Sequence, residues 1–318
     1  MKKVIALALV GGVVATGAAA AAGAASGPAA TPKPLRGTIT ADGSSTVGPY
    51  TTAAAEGFQK RHRGVRVTVG ISGTGGGFER FCKGETDLSN ASRPMKASEA
   101  VLCRDNGVKW LAFTVANDGL SVVVNKANTW ASCLTTTELK AIWNTGSRIS
   151  SWKDVRPGFP DVPLKLFGAG TDSGTFDYFT EAINGKARQS RSDYLATEDD
   201  NIVVQGVSGE RGGMGYFGFS YYEENKDKLK VLAIDGGKGC VTPSLRTVQS
   251  NRYRPLSRPL FVYAKLSSFR RPEVAAFVGY VFNNERAIAR KARFVPLTDS
   301  QLRKARYQYR QALKRAFG

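Results

Sequence analysis

Hydrophobic and polar positions change period several times along the chain, from the alternation of strands to the three-to-four spacing of helices. Strand patterns occupy residues 37–42, 65–71, 118–125 and 164–168. Helical patterns occupy residues 46–62, 76–83 and 135–144. Because strands and helices alternate, the sequence predicts an α/β layered fold with a largely parallel core.

The last residues predict an amphipathic helix from Asp299 to Phe317. Its apolar face carries Leu302, Ala305, Tyr309, Leu313 and Phe317. Its opposite face carries Arg303, Lys304, Arg306, Arg310, Lys314 and Arg315, which we interpret as a solvated surface. The aromatic segment 214–223 fits neither period, so the pattern leaves its structure open.

The first 26 residues form a different pattern. Lys2 and Lys3 precede an apolar stretch, Val4 to Val14, which small residues of the type accepted by signal peptidase follow. The stretch is too short to span a membrane, which disfavours the alternative of a membrane anchor. We predict that residues 1–26 are a signal peptide and that the mature chain is exported to the periplasm or the cell surface. No cysteine in this segment provides the common lipid attachment point of bacterial signals.

The four cysteines all follow the predicted signal. Cysteines of an exported protein favour disulfides, and four allow three pairings, which the residues alone leave open. A zinc site is the alternative, but a close CxxC pair is missing and His62 is the single histidine. We predict two disulfides, no metal site and no cofactor.

The formal net charge is +19, or +17 once Lys2 and Lys3 leave with the signal. Such a surface attracts polyanions, and nucleic acid is the obvious partner for a cytoplasmic protein of this charge. The cations here are scattered, the sequence contains no recognised nucleic-acid motif, and export removes the usual target. We therefore expect a solvated basic surface and no nucleic-acid partner.

One type of loop occurs three times: DGSSTVGP at 42–49, GISGTGGGF at 70–78 and GTDSGTFDYF at 170–179. Each follows a predicted strand, places Ser or Thr beside Gly and leads into a predicted helix. A helix N-terminus offers unpaired N–H groups and partial positive charge, and glycine lets the backbone approach a ligand. One such loop is ordinary helix capping. Three at the carboxyl ends of strands favour a shared anion site.

Two enzymatic alternatives fit these loops less well. A P-loop requires GxxxxGK followed by Ser or Thr, and the three loops lack that lysine. A serine hydrolase requires a base beside its nucleophile, whereas His62 lies in the charged stretch QKRHRG at a predicted helix end. A Ser-Lys arrangement stays open, although the loops show no SxxK signature. Binding without chemistry is the simplest interpretation.

Five segments together resemble the phosphate-binding, substrate-capturing subunit of bacterial phosphate ABC transporters: DGSSTVGP, GISGTGGGFERFCKGETDLSNASRP, GAGTDSGTFDYFTEAI, SRSDYLATEDDN and GYFGFSYYEENKDKL. The resemblance runs from about Arg36 to the C-terminal region. It implies a two-lobed periplasmic-binding-protein fold of the class II type, whose lobes are joined by two hinge strands and close on inorganic phosphate. It also implies a binding protein rather than an enzyme, which delivers phosphate to a membrane permease. We expect a monomer.

The resemblance implies crossings between the lobes near Thr114 to Gly119 and near Asn251 to Pro259. Lobe I would then comprise residues 36–115 and 256–318, and lobe II residues 116–255. The resemblance further suggests a Cys82–Cys103 disulfide in lobe I and a Cys133–Cys240 disulfide in lobe II. Each bridge would constrain one lobe and leave the hinge free.

The resemblance assigns phosphate ligands to all three loops. They share a hydroxyl or a backbone N–H near a helix entrance, and they are Ser45, Thr46, Thr74, Gly75, Ser173, Gly174 and Thr175, with Ser72 as a near alternative to Thr74. Neutral donors of this type can surround a dehydrated oxyanion.

The sequence departs from the best-known form of the family at two charged positions. That form has an aspartate in an ASD stretch and an arginine shortly before SGT in the third loop. Here Arg93 stands in NASRP, Ala169 occupies the arginine position, and Asp172 directly precedes SGT. We hypothesise that the charged pair has exchanged places, so that Arg93 binds the anion and Asp172 accepts the phosphate proton, which sulfate lacks.

Each charged candidate has a structural alternative. Asp172 could be a helix N-cap, and Arg93 could pair with a carboxylate: Glu79, Glu85 or Asp87. Arg191 in SRSDY could touch the ligand or pair with Asp193. Two other function classes remain, namely a binding protein for another tetrahedral oxyanion and a secreted phosphatase on the same fold. The phosphatase is least favoured because the sequence offers neither metal-ligand clusters nor a histidine base.

Overall fold

The predicted alternation of strands and helices is present in the computed structural model, which describes residues 34–171, 173–197 and 199–317. The predicted signal peptide, residues 1–26, and Asp172 lie outside these residues. In the described part of the chain, none of the helices is both long and apolar enough to cross a membrane.

The strands, numbered along the chain, are β1 Gly37–Gly43, β2 Val65–Val69, β3 Leu88–Ala91, β4 Trp110–Asn125, β5 Cys133–Thr135, β6 Lys165–Ala169, β7 Leu195–Thr197, β8 Gly213–Gly218, β9 Leu229–Val231, β10 Ala233–Asp235, β11 Cys240–Val241 and β12 Ser257–Lys265. The helices are α1 Gly48–Arg61, α2 Gly73–Cys82, α3 Ala97–Asp105, α4 Thr136–Trp143, α5 Gly174–Phe179, α6 Asp200–Gly209, α7 Phe219–Asn225, α8 Leu245–Gln249, α9 Pro272–Asn283, α10 Glu285–Lys291 and α11 Asp299–Phe317. Helix α5 continues as a π-helical turn over Thr180–Asn184.

The helix boundaries follow from local sequence. Pro49 lies in the first turn of α1, where a backbone N–H would have no partner within the helix, so the N–H that proline lacks costs no hydrogen bond. A capping box joins Thr135 to Glu138 at the start of α4. Helix α11 spans the predicted residues and buries Leu302. Phe317, predicted on the same apolar face, is 68% exposed, so the packed part of that face ends before it.

The main sheet has the strand order β2-β1-β3-β12-β4-β8-β6-β7, and β9 also pairs with β4. Strand β1 is parallel to β2 and β3, and β6 is parallel to β7 and β8. In the centre, β12 and β4 run antiparallel to each other and to their neighbours β3 and β8. The parallel core is therefore divided into two groups, because the chain passes from one group to the other along β4 and returns along β12.

Strand β4 changes partner in its middle. It pairs with β12 up to Gly119 and with β8 from Leu120 onward, while β12 begins at Ser257. The change of partner lies beside the first predicted crossing, and Ser257 lies within the second. The exact lobe boundaries stay a prediction.

Each group of strands has its own apolar core. One core contains Tyr50, Phe58 and Phe277. The other contains Trp143 and a stacked pair of rings, Phe179 and Tyr216, whose centroids are 3.8 Å apart. Separate cores allow two halves of one chain to be stable units that move relative to each other.

Both predicted disulfides are present. Cys82–Cys103 joins α2 to α3 across 21 positions of sequence, and Cys133–Cys240 joins β5 to β11 across 107 positions. Strands β11, β10 and β5 form a separate three-stranded sheet, so the second bridge fastens both edges of that sheet.

Candidate functional site

The first loop turns from β1 into α1 against β3. Gly43 has a φ of 137°, which favours glycine, and a Cβ there would overlap the carbonyl oxygen of Asn90. The Ser44 N–H donates to the same oxygen at 2.9 Å. This tight turn places Ser45 and Thr46 directly before α1.

The second loop is held by the buried carboxylate of Asp42. The Ser72 N–H and hydroxyl donate to Asp42 Oδ1 at 3.1 and 3.0 Å, and Arg80 forms an ion pair with the same carboxylate. Ser72 therefore supports the loop. Thr74, in the first turn of α2, has its Oγ1 3.1 Å from Ser92 Oγ and lines a cavity with it. Of the two alternatives, Thr74 is the one that reaches the cavity.

The third loop begins α5 and touches the first. Ser173 is the N-cap, and its Oγ accepts a hydrogen bond from the Thr175 N–H at 3.1 Å. A Cβ at Gly174 would lie 3.0 Å from the backbone nitrogen of Thr46. The Gly174 carbonyl accepts a long hydrogen bond, 3.5 Å, from the Thr46 hydroxyl. Because residue 174 is glycine, two loops separated by 128 positions can meet.

Two cavities adjoin at this contact, since Ser45 and Thr46 line both. The first cavity, of about 290 Å³, includes the predicted residues Ser45, Thr46, Thr74, Gly75 and Arg93. The second cavity, of about 230 Å³, adds Ser173, Gly174 and Thr175. The structure thus brings together eight of the eleven residues predicted from the sequence, and they come from all three loops.

Arg93 reaches the first cavity, where Glu99 holds it. Its Nη1 and Nη2 donate to the two Glu99 carboxylate oxygens at 2.9 and 2.7 Å. Burial alone would raise the pKa of Glu99, but the hydrogen bonds from Arg93 and from the Lys96 N–H hold that pKa below its usual value. The carboxylates considered from the sequence have other partners: Glu79 pairs with Lys83, Glu85 with Arg80 and Asp87 with Arg271. The predicted pairing with Glu79, Glu85 or Asp87 is therefore wrong, because the partner of Arg93 is Glu99. The contact between Arg93 and an anion stays a prediction.

Arg191 is not among the residues that line these two cavities. Its Nε and Nη2 donate to Asp193 at 2.6 and 2.7 Å, and its Nη1 donates to the carbonyls of Ile142 and Ile149, both at 3.0 Å. Its side chain is buried, 7% exposed, against the end of α4. These contacts make Arg191 a support for the surrounding backbone. The other charged candidate, Asp172, lies outside the described residues.

The sequence patterns did not single out five charged and aromatic residues that line the first cavity: Lys96, Asp177, Tyr178, Glu181 and Arg258. Asp177 and Tyr178 belong to the quoted segment 170–179, but they lie in α5 beyond its Ser, Gly and Thr positions. Lys96 directly precedes α3, Glu181 lies in the π-helical turn and Arg258 lies on β12, all outside the three loops. Arg258 could have drawn attention through its place in the predicted second crossing, because a charged residue in a hinge strand lies next to the cleft.

The first cavity carries charges of both signs. Arg93, Lys96 and Arg258 provide positive charge, and Asp177 and Glu181 provide carboxylates. Burial raises the pKa of Asp177, although Arg188, 3.8 Å away, opposes the rise. Cations balance the charge of an oxyanion, while a carboxylate can accept a hydrogen bond only from an oxyanion that still carries a proton.

Comparison with known proteins identifies the family. The sequence profile of the PBP superfamily domain matches residues 28–285. The chain belongs to the PBP superfamily. Protein SphX of Synechococcus elongatus is 49% identical over 265 residues, which are 82% of this chain and 78% of SphX. The phosphate-binding protein PstS of Staphylococcus saprophyticus is 39% identical over 265 residues, which are 82% of this chain and 81% of PstS.

Two solved structures share the fold of this chain. A crystal structure of a possible phosphate binding protein from Planctomyces limnophilus is 47% identical, with a TM-score of 0.85, and covers 88% of this chain and 99% of its own. An ABC-type phosphate transport receptor from Vibrio cholerae is 22% identical, with a TM-score of 0.64, and covers 81% of this chain and 99% of its own. The predicted two-lobed α/β fold is therefore confirmed, as is the resemblance on which it was based.

Proposed function

We propose that this PBP superfamily member binds inorganic phosphate outside the cytoplasm and delivers it to the permease of an ABC transporter. The observation that supports this most is the convergence of three strand-to-helix loops on adjoining cavities that contain hydroxyls, backbone N–H groups and cations. The names of the relatives agree with it, since PstS is a phosphate-binding protein and the Planctomyces limnophilus protein a possible one. Binding is the whole of the proposed activity, without catalysis.

The proposed ligands are the loop residues that reach the two cavities: Ser45, Thr46, Thr74, Gly75, Ser173, Gly174 and Thr175. Their hydroxyls and N–H groups would donate to the phosphate oxygens. Arg93 would add positive charge while it stays paired with Glu99. Ser72 and Arg191 are left out as direct ligands because their donors are used within the protein.

Selectivity for phosphate over sulfate is proposed to depend on a proton acceptor at Asp172. A carboxylate repels sulfate but accepts a hydrogen bond from the proton that phosphate keeps at neutral pH. We expect Asp172→Asn to reduce the preference for phosphate over sulfate sharply, as measured by calorimetric titration of both anions. Unchanged selectivity would exclude Asp172 and leave Asp177 or Glu181 as the acceptor.

The function itself is tested by titrating the mature protein with phosphate, arsenate, sulfate and molybdate in a calorimeter. Phosphate is expected to bind most tightly. Tighter binding of sulfate or molybdate would favour the alternative of another tetrahedral oxyanion, and no binding of phosphate would refute the proposal. Release of nitrophenol from an aryl phosphate at a rate above background would instead favour the secreted phosphatase.

The remaining proposals concern the whole chain. Residues 1–26 would be removed on export, and the mature chain would be a monomer whose lobes comprise residues 36–115 with 256–318 and residues 116–255. Amino-terminal sequencing of protein exported by a bacterial host tests the signal, and light scattering tests the monomer.

A further inference from the structure

Arg258 is the cation of the first cavity with the closest contacts to the loops. It lies near the start of β12, and its side chain is 13% exposed. Its Nη2 donates to the Thr46 Oγ1 at 3.0 Å, and its Nε donates to the Asp118 Oδ2 at 3.3 Å. Its Cζ lies 3.4 Å from the centroid of the Tyr178 ring. Three distant parts of the chain therefore meet at one guanidinium.

The surroundings of Arg258 fix the plane of its guanidinium group and leave some of its N–H groups available to a ligand. A guanidinium has five N–H groups in a rigid fork, of which Thr46 and Asp118 take one each among the described contacts. The ring of Tyr178 covers one face, and the Tyr178 hydroxyl is fixed by the Pro255 carbonyl at 2.8 Å. An arginine held in this way is pre-organised for a planar contact with an oxyanion.

Asp118 is the carboxylate that compensates the buried charge. Its side chain is 8% exposed on β4, directly opposite Arg258 in the β4–β12 register. Burial raises its pKa, although the neighbouring guanidinium opposes the rise. An arginine buried this deeply is costly unless a partner lies beside it.

We propose that Arg258 contacts the bound phosphate directly, and that Asp118 and Tyr178 are positioning residues that hold its guanidinium at Thr46. The proposal rests on the proposed function. The Thr46 hydroxyl has one hydrogen, which makes only a long bond to the Gly174 carbonyl, and this hydrogen would turn to a phosphate oxygen about 2.7 Å away. That oxygen would be within reach of the Arg258 fork, because Arg258 Nη2 lies 3.0 Å from the same hydroxyl. Arg93 is less suited to this role, because both of its Nη atoms are already engaged by Glu99.

The assignment also accounts for the missing arginine of the third loop. Ala169, at the end of β6, cannot provide charge to the anion. Arg258 reaches the first loop from β12, which is itself the return crossing, and it is 212 positions away from Thr46 in sequence. A cation supplied by a hinge strand would contact phosphate from the base of the cleft.

The test compares phosphate affinity and stability in four variants of the mature protein. Arg258→Gln removes the charge, and Arg258→Lys keeps the charge but not the fork. The double variant Arg258→Gln/Asp118→Asn removes both members of the buried pair. Arg252→Gln is the matched control, because this arginine is exposed and lies six positions before Arg258. Each is titrated with inorganic phosphate by calorimetry and unfolded with urea.

A direct contact predicts that Arg258→Gln binds phosphate roughly 10- to 100-fold more weakly than the wild type, and Arg252→Gln as tightly as the wild type. The double variant is expected to recover stability, since no buried charge is left alone, but not to recover affinity. If the role of Arg258 were only structural, the double variant would recover both. Wild-type affinity in the double variant would therefore overturn the proposal.

The remaining outcomes are equally decisive. If Arg258→Gln and the double variant do not fold, the phosphate affinity of Arg258→Lys tests the proposal. A loss of affinity at wild-type stability supports direct contact with phosphate, and unchanged affinity opposes it. If the wild-type protein does not bind phosphate, the proposed function is refuted and this inference with it. Tight binding by the wild type together with unchanged binding by Arg258→Gln refutes the inference alone.

Discussion

At the scale of single residues, Ser72 and Thr74 show how position in the fold separates similar side chains. Both are hydroxyls in one glycine-rich loop, but Ser72 donates to Asp42 within the protein and Thr74 lines the first cavity. A loop sequence indicates that donors are present. It does not state which way each donor points, because that depends on the strand and helix around the loop.

We expect Thr74→Val to weaken phosphate binding roughly tenfold or more, because a donor to a charged ligand is lost. It should lower the free energy of unfolding by about 1 kcal/mol, because the Ser92 N–H loses its acceptor. Ser72→Ala should lower the free energy of unfolding by roughly 1 to 2 kcal/mol, because the buried Asp42 loses a hydrogen bond. Calorimetric titration and urea unfolding of both variants check this. If Ser72→Ala weakened phosphate binding and Thr74→Val did not, Ser72 would be the ligand and Thr74 the residue that supports the loop.

Glu285 is a second residue whose surroundings decide its behaviour. It is 1% exposed at the start of α10, where its Oε1 accepts a hydrogen bond from the Leu297 N–H at 2.7 Å. Burial raises the pKa of its carboxyl from 4.5 to about 7, although the hydrogen bond from Leu297 and the nearby arginines oppose the rise. The folded chain therefore holds a proton on Glu285 more tightly than the unfolded chain does.

This pKa shift predicts a pH dependence of stability. The contribution of Glu285 is fully present below about pH 4.5 and falls by roughly 3 kcal/mol as the pH rises through 7. Glu285→Gln keeps the acceptor for Leu297 and cannot ionise, so its stability should fall less over the same range. Urea unfolding at several pH values between 4.5 and 8 measures the difference. If the free energy of unfolding changed with pH in the same way in both proteins, the raised pKa of Glu285 would be contradicted.

At the scale of elements, the aromatic segment 214–223 shows a limit of periodicity. The structure divides it into β8, which ends at Gly218, and α7, which starts at Phe219. Successive residues Tyr216 and Phe217 are both fully buried, on opposite faces of the strand. A strand covered on both faces lacks the alternation of apolar and polar positions, so its pattern resembles that of a buried helix.

The two disulfides constrain elements across loops of different length. Replacing Cys133 and Cys240 with Ser should lower the free energy of unfolding by about 5 kcal/mol, because the bridge closes a separation of 107 positions. Replacing Cys82 and Cys103 should cost about 3 kcal/mol for a separation of 21 positions. Urea unfolding of the two double variants compares them directly. A larger loss for the shorter loop would contradict the loop-closure explanation.

At the scale of the whole molecule, the contact between the first and third loops joins the two halves of the chain. Thr46 follows β1 in one group of parallel strands, and Gly174 follows β6 in the other. Strands β4 and β12 are the crossings between these groups. A protein that closes on a ligand must bring such loops together, and the glycine at 174 leaves room for that approach.

Gly174→Ala is therefore expected to oppose closure, because its methyl group would lie 3.0 Å from the backbone of Thr46, which cannot turn aside as a side chain could. We predict a loss of phosphate affinity of roughly tenfold or more. Small-angle scattering should show a smaller decrease in radius of gyration on adding phosphate than in the wild type. Gly209→Ala, where a Cβ meets open space, is the control. Wild-type affinity and compaction in Gly174→Ala would exclude this role.

Periodicity and capping depend on residues a few positions apart, so the residue pattern alone was enough for the three loops with their donors, for strands β1, β2 and β6 with part of β4, and for helices α1, α2, α4 and α11. The resemblance added the family, the fold and the pairing of the cysteines. Three contacts follow from the tertiary structure alone: Ser72 supports its loop, Glu99 holds Arg93 and Arg258 donates to Thr46. Contacts such as Arg258 with Thr46 join residues 212 positions apart, and no local pattern encodes them.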